Sequence, residues 1–413
     1  MVYLDNAATT QMSQKVLAAV ESVMVEDYGN PGTIYDIGKR AKSLVEESRR
    51  RVAHCIGASE GNIVFTSGGS ESNAMVFFGI ADWMLEQGKT TIAVSAIEHE
   101  SVLKSAEAVC MKYGFHLYKI GVDRNGFVDM AQLIGILSTE PVGLVSIMYM
   151  NNETGTVQGN MKKIADACHH SGAFFHTDCV QALSSIPIDV QKLDCDFLSM
   201  SSHKIHGPKG VGALYISDRV LGIDAVAPLI YGGAGQEFGL RGGTENVPGV
   251  YGFGVACEDV ELDLQGDAYG LFRGNKYVFD LCCAFCRGMV SQMRKSEKQP
   301  CISLNGCEER LEGKKASSGK ILSITIQGVD NEALAIMLNE RGICVGTGSA
   351  CRGMEVTPSH VLKAIGLSDK DAMSTIRVSF SRFNTPEEVQ NAAVEIVKCC
   401  EVLRKIGQAE YAG

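Results

Sequence analysis

Lys204 lies in the stretch SSHKIHGPKG, residues 201–210, directly after the apolar run DFLSM. A lysine at the end of a strand, surrounded by hydroxyls and imidazoles, can bind a phosphate, form a Schiff base with an aldehyde, or point into water. Lys209 follows a Gly-Pro pair, which is typical of a loop lysine. Lys204 is therefore the candidate reactive amine, and other residues must decide among its three possible roles.

Two further segments carry candidate groups at strand ends. FTSGGSESN places Gly69 and Ser70 between a strand and a helix, where free backbone amides and the helix dipole bind anions; an ordinary helix cap is the alternative. Asp178 ends the run FFHTD, and a carboxylate among apolar residues needs a cationic or N–H partner; a helix cap is again the alternative. With Lys204, these residues supply an amine, a partner for a ring nitrogen and a phosphate site, the three requirements of pyridoxal phosphate.

His99 follows another apolar run, TIAVSAI. An imidazole at this position can stack on a flat cofactor ring and relay protons. A hydrogen-bonded structural role is the alternative for a histidine taken alone. Because three other strand ends carry candidates for one site, we favour the functional interpretation.

Three motifs resemble other kinds of site. GKTT at 88–91 lacks the upstream glycine of a P-loop, since Trp83 stands there, and GTGSAC at 346–351 has Cys351 at the third glycine position of a dinucleotide fingerprint. Cys283-x-x-Cys286 has no second pair at zinc spacing, and its surroundings indicate an amphipathic helix. We therefore expect neither a nicotinamide cofactor nor a metal.

The elements that must position these residues alternate. From about residue 41 to 260, short β-branched or aromatic runs alternate with longer helical stretches, which predicts an α/β fold with a mostly parallel sheet between helices. Ligands bind at the carboxyl ends of the strands in such sheets, where the candidate residues lie. After residue 260 a long helical stretch, the runs ILSITIQG and TIRVSFS, and a last helix predict a smaller α+β domain.

Composition limits the class of protein. The chain has 413 residues, 45% of them hydrophobic and 21% charged, and a formal net charge of −10, which is typical of a globular protein and disfavours partners such as nucleic acids or anionic membranes. No apolar run approaches the roughly 18 residues of a membrane span, and the N-terminus lacks a signal-peptide pattern. The odd number of cysteines, 15, indicates reduced thiols. We expect a cytoplasmic protein with no nucleic acid or membrane partner.

The chain resembles the cysteine desulfurases of the NifS/IscS type, which are class V aminotransferases. The resemblance covers nearly the whole chain, and it rests on motifs that occur in the family's order: YLDNAATT, YGNPGTIYDIGKRA, FTSGGSESNA, EHES, NNETGTVQ, HTDCVQA, SSHKIHGPKG, RGGTENV, GSAC and IRVSFSRFNT. The Arg-x-Gly-His-His-Cys pattern of the SufS-like branch is absent. The resemblance implies the aspartate-aminotransferase-like fold (fold type I) with a seven-stranded sheet, and a homodimer. It further implies a large domain of residues 16–260 and a small domain formed by 1–15 and 261–413.

The resemblance also implies roles for cofactor-binding residues. Lys204 would form the Schiff base, Asp178 would pair with the pyridine nitrogen, and His99 would stack on the ring. Gln181 would contact the ring hydroxyl, and Thr244 would reach the phosphate from the partner subunit. The remaining cofactor-binding residues implied are Gly69, Ser70, Ser201, His203 and Asn152. The phosphate motif has Gly69-Ser70 where many relatives carry Ala-Thr, a change that preserves the hydroxyl.

For the substrate, the resemblance implies L-cysteine, bound by Asn30, Asn152 and Arg377. Arginine suits a carboxylate because its planar guanidinium donates two parallel hydrogen bonds. Cys351 takes the role of the nucleophile, with Lys204 and His99 as the other catalytic residues. Cys351 lies in GTGSACRGMEVTPSH, whose glycines and small polar residues favour a mobile loop, and Arg352 can favour the thiolate.

The expected reaction converts L-cysteine to L-alanine and leaves a persulfide on Cys351. Three alternatives stay open: a selenocysteine lyase, a related class V aminotransferase, and a catalytically silent sulfur-relay subunit. The final sulfur acceptor is also open, with an iron-sulfur scaffold protein, a thiolated tRNA or a dedicated assembly system as candidates.

Overall fold

A computed structural model describes residues 1–233, 235–265, 276–295, 301–306, 317–347, 350–352 and 355–410. For residues 265, 350–352, 355–356 and 407–410 only the backbone is described.

The elements follow in chain order. The strands are β1 Val2–Tyr3, β2 Ile63–Thr66, β3 Thr91–Ser95, β4 His116–Ile120, β5 Val142–Ser146, β6 Phe174–Asp178, β7 Phe197–Ser201, β8 Gly212–Ile216, β9 Ile302–Asn305, β10 Ile321–Ile326, β11 Ile343–Cys344, β12 Ala350–Arg352, β13 Glu355–Thr357 and β14 Thr375–Ser379. The helices are α1 Gln14–Glu26, α2 Asp36–Cys55, α3 Gly69–Gly79, α4 Ala81–Glu86, α5 Glu100–Tyr113, α6 Met130–Thr139, α7 Met161–His170, α8 Val190–Leu193, α9 Asp218–Leu221, α10 Val247–Gln265, α11 Lys276–Met293, α12 Asn331–Glu340, α13 His360–Ala364, α14 Asp369–Ala372 and α15 Pro386–Glu410.

A seven-stranded sheet in the order β2-β8-β7-β6-β5-β3-β4 forms the centre of the chain. The neighbours from β7 to β4 pair in parallel, whereas β8 is antiparallel to both β7 and β2. Every residue of β3, β5, β6, β7 and β8 is buried, as expected when helices cover both faces of a sheet. The predicted α/β fold with a mostly parallel seven-stranded sheet is confirmed.

Alternate residues of these strands enter two hydrophobic cores. Leu144 and Phe174 pack on one face with α3 and α5, whereas Val145 and Phe175 pack on the other with α2 and α10. This period of two is the pleat of the strands, so a continuous apolar run supplies both faces at once. The polar residues that follow each run are left at the edge of the sheet.

A third core lies outside the large sheet. It joins α11, α12 and α15 to the antiparallel sheet β14-β10-β9, and it includes Leu4 from the N-terminus. Residues from both predicted parts of the small domain, 1–15 and 261–413, therefore share one core. Residue 260, the predicted boundary, falls inside α10; the domain limits stay a prediction.

The structure differs locally from the predicted elements. Residues 180–185 form turns where a helix was expected over 179–183, because the Asp178 carboxylate accepts the Val180 amide at 2.9 Å and begins a turn. The helix expected after β2 is divided at Ile80 into α3 and α4. Among the residues described, no helix has the length and apolar character needed to cross a membrane.

Candidate active site

Lys204 ends a short 3₁₀ turn, Ser202–Lys204, directly after β7. Its Nζ donates to the carbonyls of Ala7 at 2.6 Å and Ala8 at 2.8 Å. Burial, with the positive charge of Arg377 as a second cause, lowers the pKa of Lys204 to about 8. The residue therefore offers a neutral, nucleophilic amine much closer to neutral pH than an exposed lysine does.

A chain of hydrogen bonds joins Asp178 to His99. Asn73, on the first turns of α3, donates from Nδ2 to Asp178 Oδ2 at 2.9 Å and to Ser101 Oγ at 2.9 Å. The hydroxyl oxygen of Ser101 lies 2.8 Å from His99 Nδ1, and the backbone amide of Ser101 donates to the same nitrogen at 3.1 Å. Because an amide N–H can only donate, Nδ1 is an acceptor and the neutral ring carries its proton on Nε2.

His99 also caps α5, which begins at Glu100. Burial is the main cause that lowers the pKa of His99 below its ordinary value, and the Lys204 charge acts in the same direction. Asp178 acts against both because its carboxylate favours the protonated ring. The neutral imidazole is thus the favoured form at this strand end.

The N-terminus of α3 forms the next wall. Gly68, the residue before the helix, has φ = 148°, in a region that only glycine adopts without strain. A Cβ added at Gly69 would lie 2.6 Å from a methyl group of Val180, so glycine at this position accommodates the turn after Asp178. Gly69 and Ser70, at the start of the helix, line the same cavity as Ser201 at the end of β7, and a helix N-terminus at a cavity wall favours an anion.

Two neighbours of Lys204 are fixed by the N-terminal segment. His203 places Nδ1 3.1 Å from Thr9 Oγ1, and burial lowers the pKa of His203 to about 4. Gln181 donates from Nε2 to the Ala7 carbonyl at 2.8 Å. Residues 7–9 thus link β6, β7 and Lys204.

Arg377 on β14 brings the second sheet to the site. Its Nη2 forms an ion pair with Asp5 Oδ1 at 2.8 Å, and its Nη1 donates to the backbone carbonyl of Asn152 at 3.1 Å. Asn152 follows β5, so one guanidinium connects the N-terminus, the large sheet and β14. Each Nη keeps one N–H beyond these contacts.

These groups surround a single cavity of about 410 Å³. Its lining consists of Ala7, Ala8, Gly69, Ser70, Asn73, His99, Ser101, Met148, Asn152, Asp178, Val180, Gln181, Ser201, His203, Lys204 and Arg377. Within the described chain, four buried atoms of these side chains have no hydrogen-bond partner: Asn73 Oδ1, Asn152 Oδ1, Gln181 Oε1 and Arg377 Nε. Unpaired buried polar atoms are costly, and here four of them belong to side chains that line one cavity. The lining as a whole is rich in polar and charged side chains, which suits a polar ligand.

Comparison with known proteins decides the family. The model of the class-V aminotransferases matches residues 2–392. The chain is 37% identical over 406 residues to the cysteine desulfurase IscS of Methanosarcina thermophila, covering 98% of this chain and 93% of the relative. The chain belongs to the class-V aminotransferase family, among the cysteine desulfurases. The resemblance stated from the motifs is confirmed.

Solved structures of the family agree in fold. A NifS-like protein superposes with a TM-score of 0.84 at 32% identity, covering 97% of this chain and 99% of that one. A structure described as SspA in complex with cysteine superposes with a TM-score of 0.75 at 31% identity, covering 93% and 100% of the two chains.

Two residues of the predicted cysteine desulfurase site lie outside the cavity, and a third, Cys351, is described only by its backbone. Asn30 and Thr244 are exposed and do not line the cavity; the Asn30 side chain accepts the amide of Gly32 at 2.9 Å. The backbone of Cys351 lies in β12, opposite Val356 of β13, and its side chain is outside the described residues. The other predicted residues line the cavity, and the role of each stays a prediction.

Sequence reasoning missed Asn73 and Ser101. Both lie near the start of helices that follow candidate strand ends: Asn73 is four residues after the first residue of α3, and Ser101 is one residue after the first residue of α5. This position was a usable signal, because the first turn of such a helix faces the same edge of the sheet as the strand end. The contact of Lys204 with Ala7 spans 197 residues, and no local pattern indicates it.

Proposed function

We propose that the protein is a pyridoxal phosphate-dependent cysteine desulfurase that converts L-cysteine to L-alanine and receives the sulfur on Cys351 as a persulfide. One observation carries the proposal. The Lys204 amine, the Asp178 carboxylate and the N-terminus of α3 line the same cavity. Each alone has a structural explanation, whereas together they meet all three requirements of the cofactor.

The residues present fit pyridoxal phosphate. Lys204 would hold the aldehyde carbon and Asp178 the ring nitrogen, with His99 against the ring, and the partnerless Gln181 Oε1 would meet the ring hydroxyl. Gly69, Ser70, Ser201 and His203 would hold the phosphate, joined by Thr244 of the second subunit. When bound, the cofactor supplies an electron sink for the pair left at the substrate Cα.

Lys204 is suited to move a proton near neutral pH. Because the pKa of Lys204 is about 8, its amine can be either protonated or neutral near neutral pH. Efficient general acid–base catalysis requires such a group. The carbonyls of Ala7 and Ala8 accept from Nζ and hold the amine at the cavity wall. Asp178, fixed by Asn73 and by the Val180 amide, would hold a proton at the ring nitrogen.

Arg377 and Asn152 are proposed to bind the carboxylate of L-cysteine. Both side chains line the cavity, and the remaining N–H groups of Arg377 and the side-chain amide of Asn152 supply donors for the carboxylate. Asn30 stays a candidate for this set. The related SspA is described in complex with cysteine, which supports this choice of substrate.

The overall sulfur transfer balances without an external oxidant. The carbon–sulfur bond of L-cysteine breaks, a sulfur–sulfur bond forms at Cys351, and the thiol proton and the substrate hydrogens remain on L-alanine and the persulfide. Cys351 acts as the thiolate, since the thiolate is the nucleophilic form. The persulfide then passes its outer sulfur to a protein acceptor, for which we propose an iron-sulfur scaffold.

A Cys351→Ser variant tests the proposal. We expect it to keep the cofactor absorbance at roughly 400 nm and to lose alanine and sulfide formation by at least about 100-fold, because only the nucleophile is removed. Cys301→Ser, at an exposed cysteine, is the matched control and should behave as the parent. Undiminished sulfide release from the Cys351 variant would remove the residue from its proposed role.

The alternative activities give different products. An aminotransferase forms alanine only with a keto-acid acceptor and does not need Cys351, a selenocysteine lyase prefers selenocysteine over cysteine, and a silent relay subunit forms no persulfide from cysteine. Assaying alanine with each substrate, both without and with a keto acid, therefore separates them. We also propose a cytoplasmic homodimer, a state supported by the exposed position of Thr244.

A further inference from the structure

A second cavity, of about 610 Å³, adjoins the first, and His99 and Asn152 line both. Glu153, Ser359 and His360 contribute to its wall. Ser359 and His360 are separated from β13, the strand paired with the strand of Cys351, by Pro358 alone. The second cavity is thus where the segment that carries Cys351 rejoins the active site.

One contact at this wall joins Ser359 to Glu153. Ser359 Oγ donates to Glu153 Oε2 at 2.5 Å, while accepting the amides of Val361 and Leu362 at the start of α13. Burial raises the pKa of Glu153 above its ordinary value, opposed by the Ser359 hydrogen bond and the charges of His360 and Arg377. Glu153 directly follows Asn152, so the contact reaches the substrate end of the first cavity.

The second contact joins His360 to the peptide that precedes His99. His360 Nε2 lies 3.0 Å from the carbonyl oxygen of Glu98. A carbonyl oxygen only accepts, so Nε2 carries a hydrogen in either charge state of the ring.

The Glu98 side of this contact is held rigidly. Glu98 is fully buried, and its Oε1 accepts from Ser95 Oγ at 2.5 Å and from the Met148 amide at 2.6 Å. The residue whose carbonyl His360 contacts is therefore fixed through its carboxylate to β3 and to Met148, two residues after β5. His360 donates a hydrogen bond to this carbonyl, and the hydrogen bond holds the segment that carries Cys351.

The other end of the segment that carries Cys351 is also held by hydrogen bonds. Gly346 and Arg377 exchange both backbone hydrogen bonds, at 2.9 and 2.7 Å, and Asn331 Nδ2 donates to the Thr347 carbonyl at 3.0 Å. The segment therefore leaves the active site beside Arg377 and returns to it beside Asn152 and His99. Both ends are set by residues that contact or neighbour the first cavity.

We propose that Glu153 and His360 are positioning residues for Cys351, which fix the returning end of its segment and so set where its thiol meets the substrate sulfur. The inference rests on the proposed function. Correct placement of a reacting group raises the reaction rate strongly, since a displacement of about 1 Å lowers that rate on the order of 100-fold.

These contacts can be removed without displacing α13. Val361 is buried against Ile97 and Met148, so apolar packing holds the helix when His360 changes. His360→Leu removes the donor to the Glu98 carbonyl, whereas His360→Gln retains an N–H at a comparable reach. Glu153→Met removes the acceptor for Ser359, whereas Glu153→Gln keeps an acceptor oxygen and removes the charge.

The first measurement uses the cofactor-free protein. Alkylation of Cys351 by iodoacetamide, followed by peptide mass spectrometry, and hydrogen exchange of residues 350–357 report on the segment directly. We expect both to be at least about threefold faster in His360→Leu and Glu153→Met, as for a segment with a lower local opening free energy, and close to the parent in the Gln variants. Lys363→Gln, an exposed position on the same helix, is the control.

The second measurement uses the protein with its cofactor and L-cysteine. We expect kcat for alanine formation to fall roughly 10- to 100-fold in His360→Leu and Glu153→Met, with KM within about twofold and with substantial rescue in the Gln variants. Unchanged kcat and alkylation in His360→Leu would overturn the proposal, and so would a joint loss of kcat, KM, cofactor binding and the unfolding midpoint. A parent protein that forms no alanine would refute the proposed function, while alkylation would still decide whether the two contacts hold the segment.

Discussion

The side-chain amines of Lys204 and Lys320 lie on either side of the Lys204 backbone. Lys204 projects into the cavity, and Lys320 Nζ lies behind it, 3.5 Å from the Lys204 carbonyl oxygen and 2.5 Å from Ser184 Oγ. Burial, with the charge of Lys204 as a second cause, lowers the pKa of Lys320 to about 7. Neither amine forms an ion pair with a carboxylate among the described residues, so desolvation dominates both.

For Lys204, the lowered pKa predicts how the cofactor-free protein captures pyridoxal phosphate. The neutral amine is the nucleophile, so the capture rate should rise from about pH 6 to pH 9 with a midpoint near 8. Stopped-flow absorbance at roughly 400 nm measures it, and Lys204→Ala should show no such capture. A midpoint above about pH 10, as for a free lysine, would contradict the prediction.

For Lys320, the lowered pKa predicts a stability that depends on pH. Between about pH 7 and the ordinary lysine value of 10.5, the unfolded chain binds one more proton than the folded one, so the free energy of unfolding should rise with pH in this range. Below about pH 7 both states are protonated and the destabilisation is complete.

Lys320→Met should therefore raise the free energy of unfolding at pH 7 by roughly 1–4 kcal/mol and flatten its rise toward pH 9. Urea unfolding at both pH values measures the effect. Lys363→Met, at an exposed lysine, serves as the comparison and should change neither quantity by more than about 0.5 kcal/mol. A destabilised Lys320→Met at pH 7 would show that its hydrogen bonds outweigh its desolvation.

Among the elements, the loop between α9 and α10 is held by a buried ion pair. Arg49 of α2 donates to both carboxylate oxygens of Glu237, at 2.8 and 2.9 Å, and the Phe65 amide donates to the same carboxylate at 2.6 Å. Glu237 and Phe238 both have positive φ, 42° and 58°, which costs about 1–3 kcal/mol for each non-glycine residue. The ion pair holds this strained turn, which leads to Thr244.

Glu237→Ala should lower the free energy of unfolding by roughly 3–5 kcal/mol, because it removes the buried, two-oxygen partner of the Arg49 guanidinium and the acceptor of the Phe65 amide. Urea denaturation measures the loss, and Arg49→Met with Glu237→Ala should recover part of it. The matched control is Glu46→Ala, which removes a half-exposed carboxylate from the same guanidinium and should cost less than about 1 kcal/mol. Equal losses at Glu46 and Glu237 would refute the assignment.

At the scale of the whole molecule, large apolar side chains near Asn30 and Thr244 in the sequence are exposed. Tyr28, Ile34 and Tyr231 are 74%, 88% and 80% exposed, which is typical of residues that become buried in an assembly. The same loops contain Asn30 and Thr244, the two predicted site residues that do not line the cavity of their own chain. A homodimer would explain both observations.

The dimer predicts that cofactor retention depends on protein concentration. Dilution below the dimer dissociation constant should release the cofactor, and Thr244→Val should weaken its binding about 10-fold, as for one hydrogen bond to a charged phosphate. Sedimentation velocity with absorbance detection follows both, and Thr139→Val, on an exposed helix end, is the control. A monomer that retains its cofactor at all concentrations would contradict the dimer.

The sequence alone predicted the fold class and several strands of the large sheet and, together with the family motifs, most of the cavity lining. Runs such as TIAVS and FLSMS carry their own burial pattern, and residues after them must meet at one edge of a parallel sheet. His99, Asp178 and Lys204 were predictable for this reason, and the family motifs added Arg377, which no periodicity indicates. Local signals of this kind depend only on neighbours in the chain.

Only the tertiary structure decided the contacts between distant segments. Lys204 donates to Ala7 and Glu153 accepts from Ser359 across 197 and 206 residues, and the turn at Glu237 adopts positive φ without a glycine to indicate it. Burial, which lowers the pKa of Lys320, likewise requires segments from both sheets to meet around one amine. Such pairings and pKa values result from the packing of the whole chain, because desolvation and distance are properties of three-dimensional neighbours rather than of neighbours in sequence.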